Sequence, residues 1–291
     1  MKKTHLLVVG AAAVFAGCAT VREPAYDTLI AHRGESYDAP ENTLPAYKTA
    51  VERGFGFECD IYLSKDGRLF TFHDRDLKRT TAGACTQTCT EASWAETVSK
   101  VNVGGWGKWK GSKFDPTRPA LLEEVLALAR PGRKIYVEVK GGPEDWVPKI
   151  KEAFAKEPKA TPETVLFICF NDKMCGYLKK HMPEYKVYWL TTCRKGQKWD
   201  GKDATRPSVT AEDVIARLRE CGADGVDISY NPAVIDAAYV KKVHDAGFEF
   251  HVWTVDDPKL AQQAFAAGVD SLTTNRAKYI LETCENARTA D

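Results

Sequence analysis

The sequence predicts an α/β fold, a single (β/α)8 TIM barrel with an insertion after the second strand, and three observations carry that reading. The chain has 291 residues, 44% hydrophobic and 28% charged, enough to bury one large core. Short apolar runs alternate with amphipathic segments of helical period along its whole length, and parallel strands need such helical crossovers. No linker rich in Pro, Gly or Ser divides it. Strands are expected at 29–32, 57–62, 134–140, 165–170, 186–190, 225–228, 249–253 and 271–274. Helices are expected at 45–53, 121–129, 145–156, 172–181, 211–221, 233–246 and 258–267, several closed by Gly54, Gly222, Gly247 or Gly268. The exception is 74–119, rich in Gly, Lys, Thr and Trp. Its run Gly104-Gly105-Trp106-Gly107-Lys108-Trp109 points to an ordered insertion over one end of a barrel domain spanning 28–284.

The first residues belong to a different kind of segment. Lys2 and Lys3 precede an apolar run over 6–16 that is too short to span a bilayer and suits a secretory leader, residues 1–17. It ends Phe15-Ala16-Gly17-Cys18, which resembles the lipobox of bacterial lipoproteins. That resemblance implies a lipidated Cys18, a tether over 18–27, and attachment to a membrane of the bacterial cell envelope through the lipid alone. Basic and acidic residues nearly balance, 41 against 40, which excludes the basic footprint of a nucleic-acid binder. Nothing in the sequence points to a protein partner. Export permits cysteine pairing, and Cys85 and Cys89, close together in a polar loop, are expected to form a disulfide. Zinc would need two further ligands there, where the chain supplies Thr, Gln and Ala. Cys59, Cys169 and Cys221 sit in or beside apolar segments and read as small core residues.

In a parallel barrel the chemistry lies at the C-terminal ends of the strands, and strand alternation tells which side chains point inward. The first strand ends Ile30-Ala31-His32-Arg33-Gly34, putting His32 inward with a guanidinium suited to phosphate beside it. In the second, Glu58 and Asp60 share the inner face; in the third, Glu138 and Lys140 do. Inward carboxylates repel unless a cation lies between them, and three together make a hard-oxygen site for Mg²⁺ or Ca²⁺. A second histidine, His73, follows the apolar run 69–72. His251 lies deeper in its strand and reads as a core histidine, while His181 and His244 fall on helices.

The motifs Ala31-His32-Arg33-Gly34, Pro40-Glu41-Asn42-Thr43-Leu44, Glu58-Cys59-Asp60, Ser64-Lys65-Asp66-Gly67, His73-Asp74 with Leu77 and Arg79-Thr80-Thr81, Glu138-Val139-Lys140 and Trp253-Thr254-Val255 resemble, in order, those of the glycerophosphodiester phosphodiesterase family. The resemblance runs from about residue 28 to 280 and is densest between His32 and Thr81. It implies metal-dependent hydrolysis of a glycerophosphodiester, for example glycerophosphocholine or glycerophosphoethanolamine, to sn-glycerol 3-phosphate and an alcohol. His32 and His73 fall on the family's acid and base, and Glu58, Asp60 and Glu138 on its divalent-metal ligands. Arg33 and Lys140 would neutralise phosphoryl charge, and Trp253 would offer an apolar wall to glycerol carbons. Glu41 and Asn42 would support the ligands or orient a histidine, while Thr43 would cap the helix that Pro45 opens.

Two positions depart from the family. The chain has Thr274-Asn275-Arg276-Ala277 where Thr-Asp-x-Pro is usual, and Cys169 where serine follows the fourth strand. Neither is expected to touch the acid, the base or the metal ligands. A phospholipase D or sphingomyelinase D-like enzyme shares the barrel, the histidines and the carboxylates, but the long insertion and the Pro40–Leu44 motif favour the first reading. A non-catalytic phosphodiester-binding lipoprotein would need no acid–base pair.

Overall fold

A computed structural model describes residues 23–193 and 209–289. The segment 1–17 expected to be a leader, and Cys18, lie outside the described residues. The strands follow the apolar runs: β1 (Leu29–Ala31), β2 (Gly56–Leu63), β3 (Leu69–Thr71), β4 (Ile135–Val139), β5 (Val165–Cys169), β6 (Val187–Thr191), β7 (Gly225–Ser229), β8 (Glu249–Trp253) and β9 (Ser271–Thr274). All except β3 are joined in parallel in the order β1-β9-β8-β7-β6-β5-β4-β2, and β2 pairs β1 again, closing the barrel. The helices are α1 (Leu44–Glu52), α2 (Leu122–Leu126), α3 (Trp146–Ala155), α4 (Asp172–His181), α5 (Ala211–Cys221), α6 (Ala237–Asp245), α7 (Pro258–Ala266) and α8 (Ala277–Thr289). Among the described residues, no helix is long and apolar enough to cross a membrane.

Strand alternation sorts the core into two parts. Ile30, Tyr136, Leu166, Ile168, Tyr188 and Leu190 fill the barrel interior with Trp253 packed against them. Their strand neighbours, such as Leu29, Phe57, Cys59, Val137, Val139 and Phe167, join the larger cluster between sheet and helices. Cys59, Cys169 and Cys221 are buried there, as their apolar surroundings predict. Local chemistry sets where helices start. Thr43, Asn171, Thr210, Asp236 and Asp257 each accept a hydrogen bond from the first helical turn that follows. Each such cap contributes about 1 kcal/mol. The Asp236 cap explains why α6 begins at Ala237, not at 233 as the periodicity suggests.

The structure adds two elements that the sequence reading lacks. Strand β3 pairs antiparallel with the end of β2, register Tyr62 to Phe70, in a hairpin turned by Ser64–Gly67. Helix α8 follows β9 and packs on α7 and β1. The insertion 74–119 holds two short 3-10 turns, Val98–Lys100 and Gly107–Trp109, and is otherwise irregular. The disulfide expected there is not formed: Cys85 and Cys89 are free thiols, and Cys89 is buried with its Sγ directed at the Asp74 carbonyl oxygen, 3.3 Å away.

Candidate active site

The turn after β1 places the first group. Arg33 adopts φ 56° and Gly34 φ 78°, and a Cβ at Gly34 would lie 2.5 Å from the Ala46 carbonyl carbon, so this close approach to α1 needs glycine. The turn brings the Arg33 amide to Glu58 Oε2 at 2.8 Å. It also brings Arg33 Nη1 to Glu41 Oε1 at 2.9 Å and Arg33 Nε to within 3.5 Å of Asp60 Oδ2. Asn42, also left-handed at φ 55°, holds Asp60 from two sides: its Nδ2 donates to Asp60 Oδ2 at 2.6 Å and its Oδ1 accepts from the Asp60 amide at 3.1 Å. Asparagine tolerates that backbone better than most residues, which suits it to the position.

Glu58, Asp60 and Glu138 come together as their inward parity predicts, with one carboxylate oxygen from each within 4.8 Å of the others, all buried. Glu58 Oε1 has no hydrogen-bond partner. Lys140 Nζ bridges Asp60 Oδ1 and Glu138 Oε1, 2.7 Å from each. Burial and the neighbouring carboxylates Asp60 and Glu138 push Glu58 well above the usual carboxylate range. Burial opposes ionisation of Asp60 too, but Lys140 and Arg33 outweigh it and hold that carboxyl well below its ordinary value. A half-compensated cluster of oxygen donors, one of them orphaned, fits a hard divalent cation.

The two histidines are held by different partners. His32 Nδ1 lies 2.7 Å from Asn275 Oδ1. The Asn275 amide is itself oriented, because its Nδ2 and backbone N–H both donate to Asp256, at 2.7 and 2.8 Å. A carboxylate accepts only, so the amide oxygen must face His32, and the imidazole must donate from Nδ1 and leave Nε2 as the acceptor. That Nε2 is 3.9 Å from Glu58 Oε2. Burial and the Arg33 charge push His32 down to about 4, against the opposing pull of Asp60.

His73, in the loop after β3, lies with Nδ1 2.8 Å from Asp74 Oδ1. Arg79 grips Asp74 through Nε at 2.6 Å and Nη2 at 3.0 Å, and reaches Glu41 through Nη1 and Nη2 at 2.9 and 2.7 Å. The Trp106 ring lies 5.0 Å from the Arg79 guanidinium, tying the insertion to this network. Burial works against the Asp74 charge, but hydrogen bonds from Arg79 and His73 hold it at about 2. Burial lowers His73 while Asp60 opposes.

These groups line one cavity of about 160 Å³ over the strand ends. His32, Arg33, Glu58, His73, Glu138 and Lys140 form one wall; Ile168, Phe170, Leu190, Asp227, Trp253, Thr254 and Thr273 form the other. Glu41 and Asn42 stand behind the charged wall, gripping Arg33 and Asp60. His251 is a core residue, bonded to Ser271 at 2.8 Å and stacked on Tyr188. His181 and His244 lie on α4 and α6, paired with Glu144 and Asp270.

Sequence reasoning passed over three residues. Asn275, expected to touch nothing in the site, bonds His32 directly, because the β1–β9 pairing that closes the barrel sets Ala31 beside Thr274. The departure Thr274-Asn275 at an inward strand end was the available signal. Arg79 enters the sequence reading only through its motif, and the signal for Asp227 is its inward parity as the third residue of β7.

A parallel barrel that gathers an acidic triad able to hold a cation, with a lysine, an arginine and two imidazoles around one cavity, has the make-up of a phosphodiester-hydrolysing site. The sequence matches the Glycerophosphoryl diester phosphodiesterase family over residues 32–278. It is 30% identical over 259 residues to a glycerophosphodiester phosphodiesterase of Caldanaerobacter subterraneus, covering 87% of this chain and 96% of that one. In fold it is similar to an Oleispira antarctica phosphodiesterase solved in complex with sn-glycerol-3-phosphate. That likeness has a TM-score of 0.73 and 24% identity, and covers 89% of this chain and 96% of that one. A glycerophosphodiester phosphodiesterase of Thermotoga maritima matches with a TM-score of 0.66 and 20% identity over 88% and 97% of the two chains. The chain belongs to the glycerophosphoryl diester phosphodiesterase family. It is therefore a phosphoric diester hydrolase, of a family that depends in general on a divalent metal.

Proposed function

We propose that the chain hydrolyses glycerophosphodiesters, such as glycerophosphocholine or glycerophosphoethanolamine, to sn-glycerol 3-phosphate and an alcohol, using His32 as base and His73 as acid. The observation that carries this reading is the pair of oppositely partnered imidazoles lining one cavity with Glu58 and Glu138 of the acidic triad. His32, donating from Nδ1 to Asn275, keeps Nε2 free to take a proton from the attacking hydroxyl. His73, with the Asp74 carboxylate at Nδ1 favouring imidazolium, gives a proton from Nε2 to the departing alkoxide. The neighbouring glycerol hydroxyl is already close to phosphorus and gains from proximity as nucleophile. It forms a cyclic phosphate that water opens with the proton roles reversed. Arg33 and Lys140 face the phosphate and offset the charge that develops on it.

Glu58, Asp60 and Glu138 would hold Mg²⁺ or Ca²⁺, which when bound polarises the phosphoryl oxygens. The test is to assay the purified protein on glycerophosphocholine, lysophosphatidylcholine and sphingomyelin, before and after EDTA treatment and dialysis. Turnover of the first, abolished by chelation and restored by Mg²⁺ or Ca²⁺, is expected. Preference for either lipid would mark a phospholipase D-like enzyme, turnover of none a binding protein, and full activity after exhaustive chelation would remove the metal from the reaction.

The same proposal places the mature protein on a membrane of the bacterial cell envelope through a lipidated Cys18, on the support of the Phe15–Cys18 run. Cys18→Ala should leave the membrane fraction or stall in processing. Wild-type protein recovered as a soluble species with an unmodified N-terminus would refute it.

A further inference from the structure

The two walls of the cavity differ in one respect that the catalytic scheme leaves unused. In the charged wall the ionisable groups engage one another, as Lys140 does Asp60 and Glu138. The other wall is apolar around Ile168, Leu190 and Trp253, and the one ionisable side chain among its described residues is Asp227. Asp227 is 1% exposed, and no donor reaches its Oδ1. Its register neighbours offer none: Leu190 on β6 is apolar, and His251 on β8 directs Nδ1 to Ser271 at 2.8 Å and Nε2 toward Glu249 at 3.5 Å. Trp253 donates its indole N–H at 3.1 Å to the Asp227 backbone carbonyl and not to the carboxyl.

Buried polar groups in folded proteins are nearly always bonded, and leaving one without a partner costs stability. A costly group kept on the wall of a reaction cavity, among apolar side chains, is matched to something that enters the cavity. Resting on the proposed activity, we infer that Asp227 is the residue that reads the terminal hydroxyl of the substrate's glycerol, whose carbons lie against Trp253 and Leu190 while the phosphate faces Lys140 and the histidines. The cavity, about 160 Å³, has room for a phosphate with a three-carbon polyol. Burial alone pushes this carboxyl up to about 8, so near neutral pH it is largely protonated and can both donate to and accept from a hydroxyl. A quaternary ammonium headgroup would need the ionised acid and would return no hydrogen bond to Oδ1.

The experiment compares glycerophosphocholine with its analogue in which the terminal glycerol hydroxyl is replaced by hydrogen and the neighbouring hydroxyl is kept. Wild type should prefer the natural diester by roughly ten- to a hundredfold in kcat/KM, mostly through KM. Asp227→Leu should bring that preference close to one, and Asp227→Asn, which keeps a donor and an acceptor, should restore part of it. In a readout that needs no turnover, sn-glycerol 3-phosphate should bind wild type more tightly than inorganic phosphate, and the two should bind Asp227→Leu alike. Asp227→Leu should also melt higher than wild type, because it removes an unpartnered carboxyl. Retained preference in Asp227→Leu, or a lower melting temperature with both substrates losing equally, overturns the assignment. Should wild type cleave neither diester yet still discriminate the two ligands through Asp227, the proposed activity fails and the hydroxyl-reading role survives. Equal binding of the two ligands by wild type sinks that role.

Discussion

The closure of the barrel between β1 and β9 and the loop after β3 each present one imidazole to the same cavity, and they hold it by different means. At the closure the partner is a neutral amide, Asn275, whose orientation is dictated by Asp256 behind it. In the loop the partner is a carboxylate, Asp74, clamped by Arg79 against Glu41. A neutral amide oxygen selects a tautomer and favours charge only weakly, whereas a carboxylate favours the protonated ring more strongly. Burial differs in degree: His32, in the barrel wall, is pushed down to about 4 by desolvation and Arg33, while His73, more exposed at the mouth, is lowered by burial against the pull of Asp60 and Asp74. In the proposed scheme, what stands behind each ring is what gives two chemically identical side chains complementary proton duties.

The largest test of this contrast removes the imidazoles. His32→Ala and His73→Ala should each lower kcat on glycerophosphocholine by about 10²–10⁴-fold. The double variant should be little worse than either single one, since the pair acts as a unit. The bell-shaped pH profile of wild type should lose its acidic limb in the His32 variant and its basic limb in the His73 variant. Near wild-type kcat in His73→Ala would end the two-histidine scheme; loss of the opposite limbs would exchange the roles and break the comparison.

A smaller effect tests the amide itself. Asn275→Ala frees the His32 ring to rotate and should cost about tenfold in kcat, the value of one hydrogen bond to a group held for reaction. Asn275→Asp keeps the acceptor but adds charge next to His32, so the imidazolium gains stability and the acidic limb of the profile should move to higher pH. It also sets a second carboxylate where Asp256 now accepts from Asn275 Nδ2 at 2.7 Å, so a lower melting temperature should accompany the shift. An acidic limb that stays in place in Asn275→Asp would show that Asn275 does not govern His32.

What could be read in the sequence follows a physical division. Strand parity and strand-end position are local properties, which is why His32, Glu58, Asp60, Glu138 and Lys140 can be assigned from the sequence to one cluster at the strand ends. The contact of His32 with Asn275 spans 243 positions and exists only because β1 and β9 pair, which no local pattern encodes. Strand β3, three residues long, was hidden because its pairing depends on the hairpin turn at Ser64–Gly67 and not on periodicity. Proximity in sequence misled at Cys85 and Cys89, since the spacing does not say where a sulfur points, and Cys89 points at Asp74.

The finest test concerns the insertion, whose part in the loop histidine's surroundings is indirect. Trp106 covers Arg79 at 5.0 Å, Arg79 fixes Asp74, and Asp74 orients His73, so the tryptophan acts three contacts away from the proton. A partly exposed cation–π contact is worth about 0.5–1 kcal/mol, so Trp106→Ala should lower kcat roughly two- to fivefold. Trp106→Phe, which keeps an aromatic face, should recover most of that loss. The effect should appear in kcat and in the basic limb of the pH profile, with the KM for glycerophosphocholine little changed, because Trp106 does not line the cavity. A variant that instead raised KM and left kcat intact would make the insertion part of the substrate's entrance and cut its link to His73.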